Sequence, residues 1–186
     1  NRYACRPMTT HFGLIIVGDE ILSGKRQDKH LPKIIELLAA RGLALSYADY
    51  VGDEPERITQ ALARAFASGD TVFSTGGIGA TPDDQTRQSA ARALGVPLQA
   101  HPQAQALISE RMQEIALERG ETYDAQSPDN LHRLNMGVFP AGARIIPNSY
   151  NKIAGFSCTG SGGGSVHFVP GFPVMAWPMI EWVLDQ

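Results

Sequence analysis

The chain has little cysteine, no basic excess and no long apolar run, and each shortage removes a class of protein. Cys5 and Cys158 are its only cysteines and lack CxxC spacing, so neither a disulfide framework nor a cysteine zinc site is expected, and both read as free thiols of a reducing compartment. Lys and Arg number 16 against 19 Asp and Glu, a formal net charge of -3. No Lys/Arg cluster is interleaved with aromatics, so nucleic acid is not an expected partner. No apolar run approaches the roughly 20 residues that span a bilayer, and residues 1–8 lack the apolar centre of a secretory signal. The expectation is a cytoplasmic protein with no membrane partner. Histidines are scattered, with no HExxH spacing, so no histidine metal centre is expected, and His167 reads as a satisfied core or face residue of an apolar strand.

What is present is a β/α alternation. At 186 residues and 43% hydrophobic content the chain can bury one substantial core, expected over residues 11–186 as a single domain behind a flexible extension at 1–10. The continuous apolar run at 12–17 predicts a parallel strand covered on both faces. A helix follows over 29–41, with Leu31, Ile34, Ile35, Leu37 and Leu38 inward and Gly42 ending it. A strand over 44–51 leads to Gly52-Asp53-Glu54-Pro55-Glu56, where Asp53 reads as the cap of a helix burying Ile58, Leu62 and Phe66. Residues 71–74 are β-prone and 84–94 have helical spacing. This βαβαβα order predicts a mostly parallel sheet with helices on both faces and right-handed crossovers.

Beyond it, the pattern predicts a helix over 103–119, a polar loop or lid over 120–130, and short strands at 138–139, 144–146, 156–158 and 166–169. Some of these are expected to be antiparallel, with 160–164 as a hairpin turn. Pro170-Gly171-Phe172-Pro173 opens a last helix whose Trp177 and Trp182 read as core.

The most informative stretch is Ser-Thr-Gly-Gly-Ile-Gly-Ala-Thr-Pro-Asp-Asp, residues 74–84. Gly76, Gly77 and Gly79 lack a Cβ and let backbone approach a phosphate or a flat ring closely. Asp83 and Asp84 repel phosphate at neutral pH, so they make sense as a helix cap together with a ligand for a hard cation such as Mg²⁺, which takes one or two carboxylates plus phosphate oxygens. Thr75 and Thr81 are candidate hydrogen-bond donors. A dinucleotide fingerprint is excluded because Pro82 stands where its third glycine belongs, and a P-loop is excluded because Arg26 replaces the metal-binding Ser or Thr after Gly24-Lys25. Lys152 and Arg133 are either phosphate contacts or unpaired surface cations. Asp28 is either a helix N-terminal acid or a ligand contact.

Asp19, Asp53 and the Asp83-Asp84 pair each follow a predicted strand, and in a parallel sheet they gather along one edge. Together with the glycine loop and the segments Val17-Gly18-Asp19-Glu20-Ile21-Leu22-Ser23-Gly24, Gln27-Asp28, Val51-Gly52-Asp53-Glu54 and Pro170-Gly171-Phe172-Pro173, the chain resembles the molybdopterin-binding domain family of the MoaB and Mog type, most closely its CinA-like (competence/damage-inducible) branch. The resemblance runs from about residue 12 to 184. It implies a three-layer α/β/α sandwich that binds a phosphorylated pterin or nucleotide at its strand ends.

It further implies one of three activities: metal-dependent pyrophosphatase action on ADP-ribose-type substrates, adenylylation of molybdopterin with Mg-ATP, or molybdopterin binding without turnover in molybdenum cofactor biosynthesis. By motif, Asp53 and Asp84 fall on the family's two functional aspartates. Residues 75–79 fall on its phosphate and pterin cradle, and Asp19, Ser23 and Asp28 on its first ligand-contacting loop. Asp53, Asp83 and Asp84 are the expected metal ligands. The family implies a homo-oligomer, dimer or trimer, and the amidase activity of the CinA branch's second domain is not implied by these residues. Asn151-Lys152-Ile153 stands where that branch has Gly-Thr-Ala, and Asn135-Met136-Gly137 where it has Lys-Gln-Ala.

Overall fold

The computed structural model describes residues 10–186; Cys5 and the flexible extension expected at 1–10 lie outside the described residues, apart from Thr10. Strand β1 (Phe12–Val17) is buried along its whole length. It leads through the short helix α1 (Asp19–Leu22) to α2 (His30–Ala39), β2 (Leu45–Val51), α3 (Pro55–Ala67), β3 (Thr71–Thr75) and α4 (Thr86–Leu94). The second half comprises β4 (Leu98–Ala100), α5 (Pro102–Glu118), α6 (Pro128–Arg133), a 3₁₀ turn (Leu134–Gly137), β5 (Val138–Pro140), β6 (Arg144–Ile146), β7 (Gly155–Thr159), β8 (Ser165–Val169) and α7 (Pro173–Leu184).

The main sheet has the order β2-β1-β3-β8-β7-β6, and β4 pairs with β5 in a separate small sheet. Strands β2, β1, β3 and β8 are mutually parallel, whereas β7 and β6 run antiparallel to their neighbours. Side chains alternate across β1, as the twofold period of a strand requires. Phe12, Leu14 and Ile16 face α2 and α7, where Ile34, Leu38, Ala176 and Ile180 complete one core. Ile15 and Val17 face the opposite layer, with Ile58, Leu62 and Phe66 of α3 and Ala90 of α4. The fold is therefore α/β with helical layers on both faces of a mostly parallel sheet. Beneath the second layer, Phe139, Phe156 and Phe168 stack with centroids 4.6 and 4.4 Å apart.

Register sets the functional edge. Val17 lies beside Val51, Ile16 beside Thr75, and Thr75 beside Val169. The turns that follow, starting at Gly18, Gly52, Gly76 and Pro170, consequently stand in a row beyond the carboxyl ends of the parallel strands, where open α/β sheets bind ligands.

Several expectations are corrected. Ile35 is 50% exposed and Trp182 40% exposed, because α2 and α7 each touch the sheet along one stripe only. Helix α4 begins at Thr86 rather than Asp84, with no side-chain cap at Gln85. Helix α3 is preceded by Glu54, again without a side-chain cap, so Asp53 does not cap it. The polar segment 120–130 gives way at Pro128 to α6, capped by Ser127 Oγ accepting from Asn130 N. His167 is satisfied as expected, 2.6 Å from Ser157 Oγ, with burial holding its pKa down at about 4. Cys158 is a buried free thiol.

Candidate functional site

A cavity of about 520 Å³ lies over these strand ends, walled on one side by Gly76, Gly77, Gly79, Thr81, Asp53, Asp83 and Asp84. Gly76 and Gly77 take φ values of +92° and +74°, and a Cβ on Gly76 would meet Val17 O at 2.3 Å; only glycine carries the chain through this turn. Gly76 N–H still extends the ladder to Val169 O, at 3.0 Å. The next four amides, of Gly77, Ile78, Gly79 and Ala80, find no acceptor among the described residues. Consecutive free N–H groups on a glycine turn form a concavity suited to an anion.

The loop's shape is fixed from below. Arg87, only 5% exposed, sends its Nη1 to Ile78 O and, at 2.9 Å, to Gly79 O. Thr86 N donates to Gly77 O and Thr86 Oγ1 to Gly76 O. Burial pulls the Arg87 pKa down from its ordinary value, opposed by the charge of Asp84. His132 Nε2 on α6 lies 2.7 Å from Ala80 O. None of these residues was singled out as a site residue from sequence, because a charged side chain inside a short polar helix reads as solvated.

Each aspartate has a definite place. Asp84 Oδ2 accepts from Thr81 N at 2.9 Å and Thr81 Oγ1 at 2.8 Å, so it closes the loop instead of starting the helix. Asp53 and Asp19 are reciprocally bonded: Asp19 N donates to Asp53 Oδ2 at 3.1 Å, and Asp53 N to Asp19 Oδ1 at 2.9 Å. Burial, followed by the charges of Asp19, Glu20 and Asp83, raises the Asp53 pKa above its ordinary value, against the Asp19 backbone bond. The cavity wall carries Glu20, Asp53, Asp83 and Asp84 against a single cation, Arg26, which makes it anionic. No group of three or more His, Cys, Asp and Glu among the described residues is arranged to hold a metal by itself.

Other expected contacts lie elsewhere. Asp28 accepts from His30 N, Leu31 N and Tyr50 Oη, so it serves as the helix N-terminal acid; it and Thr75 line a smaller neighbouring cavity. Among the described residues Ser23 Oγ reaches only Glu20 O, at 3.4 Å. Lys152 points to α5, paired with Glu110 at 2.7 Å and with Glu114, and does not line the main cavity; nor does any residue of 120–130. Arg133 bonds Asn130 within α6. Phe172, 56% exposed, borders both cavities beneath the Arg26 guanidinium, 5.9 Å from its ring centroid. Its loop is held by His30, whose Nε2 donates to Gly171 O at 2.8 Å while Nδ1 accepts from Trp177 Nε1 at 3.2 Å.

Residues 13–186 match the family described as a probable molybdopterin binding domain. A CinA-like protein from Anaeromyxobacter dehalogenans is 32% identical over 174 residues, 93% of this chain and 40% of that one. Another from Citrifermentans bemidjiense is 34% identical over 170 residues, 90% of this chain and 38% of that one. The chain thus spans about two fifths of these relatives' length. The solved structure of CinA from Thermoplasma acidophilum superposes with a TM-score of 0.77 at 26% identity, covering 95% of this chain and 96% of that one. MoaB from Thermus thermophilus, described as a molybdopterin biosynthesis enzyme, shares the fold with a TM-score of 0.57 at 24% identity, covering 95% and 91%. With the family matched along nearly the whole chain and its motifs lined up at the strand ends, the protein belongs to the molybdopterin-binding domain family, in its CinA-like branch.

Proposed function

We propose that the cavity binds a phosphorylated nucleotide or pterin together with a divalent cation, and that the protein cleaves a phosphoanhydride bond of an ADP-ribose-type nucleotide. The observation that carries this reading is a conflict within one wall. Four amides without an acceptor among the described residues invite a phosphate, while four carboxylates, offset by the one guanidinium of Arg26, repel it. A divalent cation resolves the conflict, and the donor set fits Mg²⁺, which binds through one or two carboxylates and leaves its other positions to phosphate oxygens and water. Asp53 and Asp84, with Asp83 beside them, would hold it; when bound it would neutralise charge developing on the phosphates.

The chain's own residues do the remaining work. The Gly77 to Ala80 amides orient the phosphate, and Thr81 and Arg87 keep that loop in its bound shape before ligand arrives, so little reorganisation is needed at the moment of reaction. Burial and the neighbouring carboxylates raise the Asp53 pKa, a cost to its charged form that a bound cation would offset. Purified protein is expected to cleave ADP-ribose or FAD with Mg²⁺, to stop with EDTA, and to lose turnover but keep binding in Asp84→Asn. Cleavage that persists in EDTA or in Asp84→Asn would sink the reading.

A second reading, molybdopterin binding or adenylylation, draws on the matched family, described as a probable molybdopterin binding domain. Retained ligand binding with no turnover on any dinucleotide would select it. A homo-oligomer is part of either proposal.

A further inference from the structure

The wall opposite the glycine loop is built from side-chain amides. Residues 147–154 join β6 to β7, and Asn148, Asn151, Ile153, Ala154 and Met175 border the main cavity. Amide orientations here are fixed by backbone partners. Asn148 Oδ1 accepts from Tyr150 N at 3.1 Å, so its Nδ2 faces Ile153 O at 3.0 Å and Asn151 Oδ1 at 2.8 Å. Asn151 Oδ1 accepts from Ile153 N at 3.0 Å as well. With its oxygen doubly engaged, Asn151 presents its NH₂ group outward. That group's sole partner among the described residues is Met175 Sδ, at 3.4 Å, a weak acceptor already shared with Asn148 Nδ2. A donor pair held in place by a buried neighbour, with no good acceptor and set in a wall of Met136, Ile153, Ala154 and Met175, is suited to one edge of a flat ring.

We infer that Asn151 is a specificity-determining residue that donates to a carbonyl or ring-nitrogen acceptor on the edge of a heterocycle, whose phosphorylated end meets the glycine loop across the cavity. Asn148 is its positioning residue. This rests on the phosphate reading above and adds the orientation of the ligand and the chemistry of its ring. The two thioethers supply polarisable contact to the ring face.

The test is calorimetric titration of the full chain with Mg²⁺, using inosine 5′-monophosphate as the ringed probe and ribose 5-phosphate as the ringless one. The wild-type protein is expected to bind the nucleotide about tenfold more tightly than the sugar phosphate, the size of one well-made hydrogen bond with its contacts. Asn151→Ser removes the NH₂ while its hydroxyl can still accept from Ile153 N in the same kind of turn. It is expected to bring the nucleotide to within about twofold of ribose 5-phosphate, whose own affinity stays unchanged. Equal weakening of both probes, or of neither, overturns the assignment. If the wild type binds ribose 5-phosphate but gains nothing from the ring, the assignment falls while the phosphate site stands; if it binds neither probe, both readings fall.

Discussion

The two walls of the cavity are held by opposite means. On the glycine side the backbone bends through left-handed turns and is clamped from beneath by Arg87, Thr86 and Thr81, leaving amides free. On the asparagine side the backbone is held by side chains, and a side-chain NH₂ is left with only a thioether acceptor among the described residues. The first wall follows directly on strand ends and packs against Val17, Thr86 and Asp84, so it tolerates almost no added volume. The second sits on a connection between antiparallel strands, where side chains can change without moving the sheet.

This contrast is broken most severely at Gly76. Gly76→Ala drives a Cβ to within 2.3 Å of Val17 O at φ +92°, and is expected to cost about 2–4 kcal/mol by chemical denaturation. Gly142→Ala also has positive φ but open space around it, and should cost only about 1 kcal/mol. Equal losses would show that strain, and not the close approach to β1, governs the turn.

Arg87→Met comes next. It leaves Ile78 O and Gly79 O without their buried donor, and a loss of about 2–3 kcal/mol is expected, along with weaker phosphate binding. Unchanged nucleotide affinity would mean that the loop keeps its shape unaided.

Asp53→Asn acts through protonation. A carboxyl whose pKa is raised on folding contributes stability at low pH that is lost as pH rises past its ordinary 3.8 and through the raised value. Removing the charge should therefore raise Tm by about a degree or two at neutral pH, with the gain vanishing below pH ~4, while Mg²⁺-dependent activity is lost. A lower Tm at neutral pH would show that the bond to Asp19 outweighs the crowding.

The smallest effect belongs to the connection that carries the other wall. Lys152→Ala removes a solvated pair with Glu110 and Glu114 and should leave phosphate affinity unchanged in titrations. A clear drop would restore Lys152 as a ligand contact.

The first wall was far more legible in the sequence than the second. Apolar runs and their spacing carry the parallel strands, and glycine-acid turns after each strand mark the edge, so Asp53, Asp83, Asp84 and the glycines are found together. Their local duties were not legible. Asp84 and Asp53 sit where a helix cap is normally found, yet each accepts a hydrogen bond from a loop amide, Asp84 three residues away and Asp53 from a turn 34 residues distant. Arg87 is buried only because the glycine loop folds over it, a fact that residue spacing does not encode. Asn148 and Asn151 lie in a polar stretch with no periodicity, and the hydrogen bonds that orient them depend on the return of the chain at Ile153 and on Met175 in α7.

The reciprocal bonding of Asp19 and Asp53 ties together turns that belong to different strands, and the glycine loop beside them belongs to a third. No single βα unit of the chain holds this wall, which comes into being only when β1, β2 and β3 have all docked in register. Gly76 N–H extends the same ladder to Val169 of β8, so a ligand for this wall would bind the docked parallel strands and not the separate ones, and its affinity would gauge their assembly. Saturating ligand at a hundred times its Kd should deepen the native state by about 2.7 kcal/mol, felt equally at the distant antiparallel edge.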